Sequence, residues 1–328
     1  MNVTPYMVFD GGKLPSKEHT ELERSARRKR NLEEGLRQWR ESNRKAANDY
    51  FQRCLEVTPE MTKCIIEELK REGVEYLVAP YEADAQLAYL ERQGIISAVI
   101  TEDSDLLPYG FKHVFFKMDQ WGNGTLFDRS LLPEVKGVSL RGWTDDRFRQ
   151  LCILSGCDYL ASVPGIGLKK AYKYMAKTRD IATVIRTMRM NGLQVPVDYY
   201  EGFQRADLTF LYQRVYDPIN KQLATVSPLP EGMNADNMPY VGRYLEPKIA
   251  RGIAEGDLDP ITLGPLRVNN RFPQIALRPG MVFYPGSKPT QQGVINDLAS
   301  AFRKKAKSVE PFIETGTTSP FFNHSQPV

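Results

Sequence analysis

Six acidic residues occupy places where a strand or a helix is expected to begin or end. Three apolar runs in the first third of the chain are each followed by one or two carboxylates, and another follows the Ser-Gly pair that closes a later helix. These six residues, which we call the carboxylate cluster, are Asp10, Glu82, Asp84, Asp103, Asp105 and Asp158. In open α/β sheets, reacting sites lie at the carboxyl ends of the strands. We therefore expect the six carboxylates to converge on one edge.

Bare carboxylates in one cluster repel each other and raise each other's pKa values unless cations neutralise them. Hard divalent ions with oxygen ligands meet this need, and Mg²⁺ is the usual ion where phosphate is also a ligand. Two such ions about 4 Å apart can activate water and stabilise the leaving oxygen of a phosphodiester. The pattern therefore predicts a site for a pair of Mg²⁺ ions, for which Mn²⁺ can substitute.

Each acid also has a purely structural alternative. Glu82 and Asp84 stand at the start of a predicted helix, where the helix dipole favours carboxylates. The segment Asp103-Ser104-Asp105 is equally a turn sequence, because Asp bonds to backbone N–H groups nearby. So many acids at the ends of elements are hard to explain as separate caps and turns, and this favours the metal site.

A glycine-rich turn follows shortly after the last of these acids. Its sequence is Val163-Pro-Gly-Ile-Gly-Leu-Lys-Lys-Ala171, and it opens a predicted helix. Backbone N–H groups at a helix start favour phosphate, and Gly165 and Gly167 permit a tight turn there. Lys169 and Lys170 follow directly. The motif predicts contacts to a phosphate backbone, although a GxG before a helix is by itself more often only a turn.

Positive charge is concentrated between residues 11 and 53. This stretch holds twelve Lys or Arg against seven Asp or Glu, a balance of +5, whereas the whole chain carries +4. Its densest cluster is Arg27-Arg28-Lys29-Arg30. Arginine pairs well with phosphate, and a basic segment in a balanced chain suggests a polyanionic partner. A solvated helix with internal salt bridges explains the charge equally well on charge alone.

Composition argues against several other classes of protein. The 328 residues suffice for one large domain and a smaller module. No apolar run approaches the length of a membrane span, and the first residues lack the features of a secretory signal. Four cysteines without a CxxC pair fit reduced thiols. Three scattered histidines fit neither zinc chemistry nor Ser-His catalysis.

Strands and helices alternate over the first half of the chain, which predicts an α/β fold with a mainly parallel central sheet flanked by helices. The predicted strands are 3–9, 76–79, 95–101, 113–117 and 125–128, the last two as a hairpin, and the predicted helices are 18–51, 59–71, 82–92, 145–155, 168–176 and 197–216. A weak interruption of the first helix is expected at Gly35. After residue 262 the apolar periodicity is lost, so a mostly disordered tail is expected, with at best a short helix at 295–305.

Three motifs resemble the signatures of the structure-specific 5′ nucleases, the family of flap endonuclease and the Rad2/XPG-type enzymes. They are Tyr81-Glu-Ala-Asp-Ala-Gln86, Thr101-Glu-Asp-Ser-Asp-Leu106 and Ser155-Gly-Cys-Asp-Tyr159 with Pro164-Gly-Ile-Gly167. Phe9-Asp-Gly-Gly12 and Lys117-Met-Asp-Gln-Trp-Gly-Asn-Gly124 are most similar to the exonuclease branch of this family. The resemblance runs from Thr4 to about Thr262 and implies the PIN-like 5′-nuclease fold.

The resemblance implies roles for particular residues. The carboxylate cluster falls on the family's metal-ligand positions, and Lys17 and Arg24 fall on a basic helix that contacts the scissile phosphate. The segment 11–55 corresponds to a helical arch, through or under which a 5′ single strand passes. Its DNA-binding residues would be Arg27, Arg28 and Arg30.

The segment 155–171 corresponds to a helix-two-turn-helix module, which grips the duplex backbone in the family. Gly165, Gly167, Lys169 and Lys170 fall in this module. The family often holds a K⁺ ion there, and the matching backbone carbonyls are those of Ser155, Ser162 and Ile166. Ordinary turn carbonyls are the alternative for these three residues.

The expected domains follow the same resemblance. They are a nuclease core at 1–142 with the arch at 11–55 and an acidic domain at 56–142, a helix-two-turn-helix region at 143–225, an extension packed on the core at 226–263 and a mostly disordered tail at 264–328. In the family, a strand that ends in another metal-binding Asp, and helices that wedge into DNA, precede the position of Thr4. A late start of the sequence or a truncated relative would explain this departure, and we expect weaker metal binding and lower stability from it.

The implied function is a Mg²⁺-dependent 5′→3′ double-strand DNA exonuclease with 5′-flap endonuclease activity, acting in mismatch repair and in recombination or end resection. The alternatives are a flap endonuclease or junction resolvase of the same family, and a catalytically impaired DNA-binding fragment. Expected partners are duplex DNA with 5′ ends, nicks or flaps, and mismatch-repair proteins. The protein is expected to be a monomer that does not bind membranes. A nuclear location is expected. The cluster Arg303-Lys-Lys-Ala-Lys307 could be an import signal, but short basic clusters are more often incidental.

Overall fold

The computed structural model describes residues 3–119, 121–135 and 138–267. In these ranges the chain forms seven strands and nine α-helices. The strands are β1 (Tyr6–Phe9), β2 (Glu75–Val78), β3 (Val99–Thr101), β4 (His113–Phe116), β5 (Thr125–Asp128), β6 (Arg214–Asp217) and β7 (Gln222–Thr225). The helices are α1 (Glu18–Arg40), α2 (Arg44–Gln52), α3 (Pro59–Glu72), α4 (Ala83–Arg92), α5 (Asp145–Ser155), α6 (Leu168–Met175), α7 (Ile181–Met190), α8 (Tyr199–Tyr212) and α9 (Pro247–Ala254). No helix in this part of the chain has the length and apolar character that a membrane crossing requires.

The α/β class predicted from the sequence is confirmed, but within the described ranges the strands are divided among three small sheets rather than one mainly parallel sheet. Strands β1 and β2 pair in parallel, and so do β3 and β4. Strands β4 and β5 form the predicted antiparallel hairpin, and β6 and β7 form a second antiparallel pair. The division arises because β3 has only three residues, and its ladder is with β4 rather than with β2.

Helix α3 begins and ends where local sequence chemistry predicts. The Thr58 side chain accepts a hydrogen bond from the backbone N–H of Met61, and Pro59 occupies the first helical position. Gly73 ends the helix in the left-handed region with φ +67°. These signals are local to the chain, so the boundaries could be predicted without knowledge of the fold.

The predicted helix 18–51 is instead two helices, α1 and α2, and the break does not fall at Gly35. Gly35 is buried inside α1, where a Cβ atom would lie 2.7 Å from the ring of Phe51 in α2. The chain turns at Ser42, which has φ +61°, and the Asn43 side chain then accepts a hydrogen bond from the N–H of Ala46. Gly35 therefore permits close packing of the two helices rather than an interruption.

A large apolar core joins α4 and the β3–β4–β5 sheet to helices α5 to α8. Helix α5 contributes buried residues on most sides, among them Leu151, Ile153 and Leu154. The predicted helix 197–216 ends at Tyr212, because the chain extends at Gln213 and β6 pairs with β7. The β6–β7 hairpin was not predicted from the sequence, and neither was α7 as a separate helix.

The segment after β7 packs back on the first half of the chain. Ala250 and Ala254 of α9 are buried with Leu77 of β2, and Ile253 is buried with Val78. The backbone N–H of Leu266 still donates to Asp257 at 2.8 Å, so residues 264–267 are tied to this region. The rest of the predicted tail, including the short helix and the basic cluster at 303–307, lies outside the described residues.

Candidate functional site

Asp10 and Glu82 meet where the parallel strands β1 and β2 end. Asp10 directly follows β1, and its Oδ1 accepts the backbone N–H of Ala83 at 2.8 Å, in the first turn of α4. Glu82 is the residue before this helix. A Cβ atom at Gly11 would lie 1.8 Å from the carbonyl oxygen of Ala79, so only glycine permits this close approach. The backbone thus brings two of the predicted carboxylates to one edge.

The Asp103-Asp105 segment follows β3 as a hydrogen-bonded turn. The hydroxyl of Thr101 accepts the N–H of Asp103 at 3.1 Å, and Asp103 Oδ1 accepts the N–H of Asp105 at 2.9 Å. The structural alternative for Asp103 is therefore realised, since its side chain does shape the turn. The same turn holds Asp105, which is half-buried, next to Asp103.

The pKa values of two acids record the crowding of the carboxylate cluster. Burial raises the pKa of Asp84 well above its usual range, and the charges of Glu82, Asp10 and Asp103 raise it further. Burial also raises the pKa of Asp105 to about 8, with Asp103 and Asp158 as further causes. Each of the six carboxylates therefore either shows this effect or contributes to it. The structure brings the predicted cluster together.

Two basic side chains from the start of the helical arch reach into this cluster. Lys17 Nζ lies 2.7 Å from Glu82 Oε1 and 2.8 Å from Asp158 Oδ2. Arg24 Nη2 lies 3.0 Å from the same oxygen of Asp158. Burial by itself would lower the pKa of Lys17, but the two carboxylates outweigh it and raise the pKa above its usual range. Lys17 and Arg24 therefore partly neutralise the acids on which the predicted metal site depends.

The chemistry of these donors fits a hard divalent cation. All of the cluster's side chains offer carboxylate oxygens, and their mutual repulsion is the condition that such a cation relieves. In the described ranges, however, no three His, Cys, Asp or Glu side chains are placed so that they could hold one ion together. Lys17 bridges Glu82 and Asp158 in this arrangement. A shared ion would require these side chains to rearrange around it.

The predicted DNA-binding arginines lie further along α1. Arg27 and Arg30 are exposed, and Arg28 forms an ion pair with Glu56 at 3.1 Å. None of the three contacts the carboxylate cluster in the hydrogen bonds and ion pairs described for this structure. They form a separate basic surface of the arch.

The glycine-rich turn leads into α6 as predicted. Gly165 has φ +80°, in the left-handed region, and Gly167 immediately precedes the helix. Lys169 and Lys170 are exposed in its first turn. The turn therefore presents a helix start with two lysines to the surface.

The three residues predicted to hold K⁺ lie at the end of α5 and in the loop before α6. Gly156, next to Ser155, has φ +115°, and a Cβ atom there would lie 3.1 Å from the Cβ of Ser162. The N–H of Ile166 donates to the Val163 carbonyl at 2.9 Å, so the third residue lies in a tight turn. The backbone thus brings Ser155 and Ser162 near each other, and the K⁺ assignment stays a prediction.

A hydrogen-bonded group of two tyrosines and a glutamine lies behind the carboxylates and was not predicted from the sequence. The hydroxyl of Tyr159 donates to Glu82 Oε2 at 2.5 Å and lies 2.7 Å from the hydroxyl of Tyr109. Gln213 Oε1 lies 3.2 Å from both hydroxyl oxygens. The one available signal was the position of Tyr159 directly after Asp158, and it does not reveal the partner.

The chain is similar to one protein-family model and to several named proteins. The family model described as XPG I-region matches residues 73–158. Exonuclease 1 of Oryza sativa subsp. japonica is 41% identical over 263 residues, covering 80% of this chain and 31% of that protein. DNA damage-inducible protein DIN7 of Saccharomyces cerevisiae is 30% identical over 341 residues, covering 96% of this chain and 76% of that protein. A solved catalytic core of Rad2 in complex with DNA substrate is 19% identical with a TM-score of 0.45, covering 77% of each chain.

The similarity to the yeast protein extends over most of both chains, and the XPG I-region match contains five of the six predicted acids. The chain therefore belongs to the Rad2/XPG family of nucleases, and the resemblance stated from the motifs is confirmed. The chain spans about a third of the length of the curated exonuclease 1 relatives that it matches first.

Proposed function

We propose that this chain is a metal-dependent nuclease that degrades duplex DNA from 5′ ends in the 5′→3′ direction and also cuts 5′ flaps. The proposal depends on one observation, the crowded carboxylate cluster with Lys17 and Arg24 held against it. Its membership of the Rad2/XPG family supports the same function, and relatives named exonuclease 1 and exodeoxyribonuclease 1 support an exonuclease that acts on DNA. The 5′→3′ direction is taken from the resemblance of the motifs.

The proposed mechanism assigns the cluster to metal binding. The residues that would hold two Mg²⁺ or Mn²⁺ ions are Asp10, Glu82, Asp84, Asp103, Asp105 and Asp158. When bound, such ions would supply an activated water molecule and would stabilise negative charge on the leaving oxygen of the phosphodiester. Lys17 and Arg24 move from the carboxylates to the scissile phosphate and neutralise its developing charge. No side chain serves as general base in this scheme.

Two surfaces hold the DNA in this proposal. The exposed arginines of α1, Arg27 and Arg30, contact the 5′ single strand near the arch, and Arg28 joins them when its ion pair with Glu56 opens. The start of α6, with Gly165, Gly167 and its two lysines, contacts the duplex backbone, with K⁺ at the preceding loop. Such contacts fix the position of the duplex without reading its sequence.

The wider role follows from the names of the relatives and remains part of the proposal. We place the chain in DNA mismatch repair and recombination or end resection, as a nuclear monomer that meets mismatch-repair proteins at DNA ends. Relatives named exonuclease 1 and a relative named for DNA damage induction support a function in repair.

The decisive experiment compares cleavage of blunt, nicked, flapped and four-way DNA by the purified chain in Mg²⁺ and in Mn²⁺. We expect 5′→3′ release of nucleotides from blunt and nicked duplexes and endonucleolytic cleavage of flaps. Preference for the four-way substrate would instead indicate a junction resolvase, and cleavage of flaps alone a flap endonuclease. Binding of DNA without cleavage in either metal would indicate a DNA-binding fragment and overturn the proposal.

A pair of variants assigns the cleavage to the cluster. Asp105→Ala should abolish cleavage and leave the DNA dissociation constant nearly unchanged, because it removes a metal ligand and not a phosphate contact. Glu231→Ala removes an exposed carboxylate outside the cluster and should cut at the parental rate. Parental cleavage by Asp105→Ala would show that the metal assignment is wrong.

A further inference from the structure

A hydrogen-bonded pair of tyrosines lies behind the carboxylate cluster. The Tyr159 hydroxyl is 2.5 Å from Glu82 Oε2, and the Tyr109 hydroxyl is 2.7 Å from that of Tyr159. The ring of Tyr109 is 3% exposed. Both rings pack against Phe210 of α8, with centroids 5.0 Å and 4.7 Å away. The pair is therefore fixed by the core on one side and faces Glu82 on the other.

The order of the hydrogen bonds can be worked out from the number of protons. A tyrosine hydroxyl ordinarily has a pKa of about 10, so both hydroxyls are protonated at neutral pH. Each hydroxyl has one proton to donate. Because Tyr159 gives its proton to the carboxylate, Tyr109 is the donor in the 2.7 Å contact between the two hydroxyls, which is shorter than its 3.2 Å contact with Gln213 Oε1. The donation therefore runs from Tyr109 to Tyr159 to Glu82.

The pair connects the three separate segments that carry the cluster around β3 and α4. Tyr109 ends the short 3-10 helix Leu107–Tyr109, which follows the Asp103–Asp105 turn directly. Tyr159 is the neighbour of Asp158, and Glu82 precedes α4. The Tyr109–Tyr159 and Tyr159–Glu82 hydrogen bonds join residues 50 and 77 positions apart. They therefore tie together carboxylate-bearing segments whose spacing no local structure determines.

We propose that Tyr159, supported by Tyr109, is a positioning residue that holds the Glu82 carboxylate in one orientation for metal binding. With Oε2 occupied by Tyr159, Oε1 is the oxygen that faces the cluster, where Lys17 Nζ now lies 2.7 Å from it. Partners that orient a ligand side chain commonly change metal affinity about 10- to 100-fold when they are removed. This inference deepens the proposed function and rests on the metal site proposed there.

The test measures metal affinity directly, by titration of the full chain with MnCl₂ followed by electron paramagnetic resonance. Tyr159→Phe keeps the ring that packs on Phe210 and removes only the donor to Glu82. We expect its Mn²⁺ affinity to fall about tenfold, and that of Tyr109→Phe to fall less. In the double variant, Tyr109→Phe should add little, because it acts through Tyr159. Tyr76→Phe, which loses a 2.9 Å bond to the Glu255 carbonyl, is the matched control and should bind as the parent does.

Cleavage assays separate positioning from a general loss of structure. Tyr159→Phe should need about tenfold more Mg²⁺ for half-maximal cleavage, with an unchanged KM for DNA and a far-ultraviolet circular dichroism spectrum like that of the parent. If Tyr159→Phe does not fold, Tyr109→Phe carries the same test with a smaller shift.

The outcomes distinguish this inference from the proposed function. Parental Mn²⁺ affinity in folded Tyr159→Phe, or an equal loss in Tyr76→Phe, would overturn the positioning role and leave the nuclease proposal intact. A weakened Mn²⁺ site in Tyr159→Phe, in a parent chain that binds Mn²⁺ but cuts no DNA, would support the positioning role and overturn the nuclease. A parent chain that binds no Mn²⁺ would overturn both.

Discussion

The arch carries basic side chains along its whole length, but its two ends use them differently. At the near end, Lys17 and Arg24 contact carboxylates that belong to distant segments, Glu82 and Asp158. At the far end, Arg37 pairs with Glu34 and Glu41 of its own segment. The Lys17 side chain is 18% exposed and that of Arg37 is 57% exposed. Similar residues in one helical region therefore have different electrostatic surroundings.

This difference shows why charge along a helix does not by itself reveal function. Exposed ion pairs within a helix contribute at most about 0.5 kcal/mol and are screened by salt. A lysine shielded between two carboxylates is much less screened, because the surrounding protein lowers the local dielectric. The near end can therefore influence the electrostatics of the cluster, whereas the far end is a solvated surface whose arginine pairs with its own helix.

The largest effect should come from Lys17→Ala. We expect single-turnover cleavage to slow about 10²- to 10³-fold, because the scissile phosphate loses a shielded cation that stabilises its charge. Arg37→Ala is the control at the far end and should cut within twofold of the parent. Rapid-quench cleavage of a 5′-flap duplex in saturating Mg²⁺ measures both. Equal losses in the two variants would show that the two ends of the arch do not differ in function.

Arg24→Ala should slow cleavage less than Lys17→Ala. The Arg24 side chain is 40% exposed and also bonds to Glu21, so water can replace part of its role. Its bond to Asp158 is single, whereas Lys17 bridges two acids. The same rapid-quench assay ranks the two variants. A greater loss for Arg24→Ala would place the main phosphate contact on α1 rather than before it.

Gly35→Ala should loosen the far end of the arch without affecting the cluster. The added Cβ would lie 2.7 Å from the Phe51 ring, and such overpacking costs about 1–3 kcal/mol, partly offset by the better helix propensity of Ala. Hydrogen exchange should become faster at amides of α2 and the end of α1. The amides of α4 should keep parental protection.

Gly167→Ala is the control for this substitution. An added Cβ there meets no atom within 4 Å, and the backbone is extended at φ −133°. It should leave hydrogen exchange in the arch unchanged. Unchanged exchange in Gly35→Ala as well would contradict the close packing of α1 on α2.

The last effect concerns pH and the cluster itself. The pKa of Asp105 is about 8 in the folded chain against 3.8 as its ordinary value, so the folded state holds the extra proton between these values. The contribution of Asp105 to the free energy of unfolding therefore falls as pH rises from about 4 to 8. In EDTA, Asp105→Asn should gain melting temperature relative to the parent as pH increases over this window. A difference that stays constant with pH would contradict the crowding of Asp105.

Much of the site could be predicted because its signals are local. Asp10, Glu82 and Asp105 follow apolar runs that form strands. The carboxyl ends of the parallel strands β1 and β2 share one edge, while Asp105 follows β3 of a separate sheet. The boundaries of α3 follow from Thr58 and Gly73, whose side-chain and backbone preferences act within one turn. The hairpin β4–β5 likewise follows from its own glycine-containing turn, Gly122-Asn-Gly124.

The remainder depended on neighbours that are distant in sequence. Gly35 by itself predicts a weak interruption of the helix, because the sequence does not show that the ring of Phe51 packs on it. The chain after Tyr212 becomes a strand because β7 is available to pair with it. Tyr159 reaches Glu82 across 77 positions. The amino-acid sequence alone determined which side chains carry charge and where helices and strands begin, because those preferences act between near neighbours. Tertiary packing alone decided which charged side chains lie together away from solvent, and therefore which pKa shifts and long-range hydrogen bonds arise.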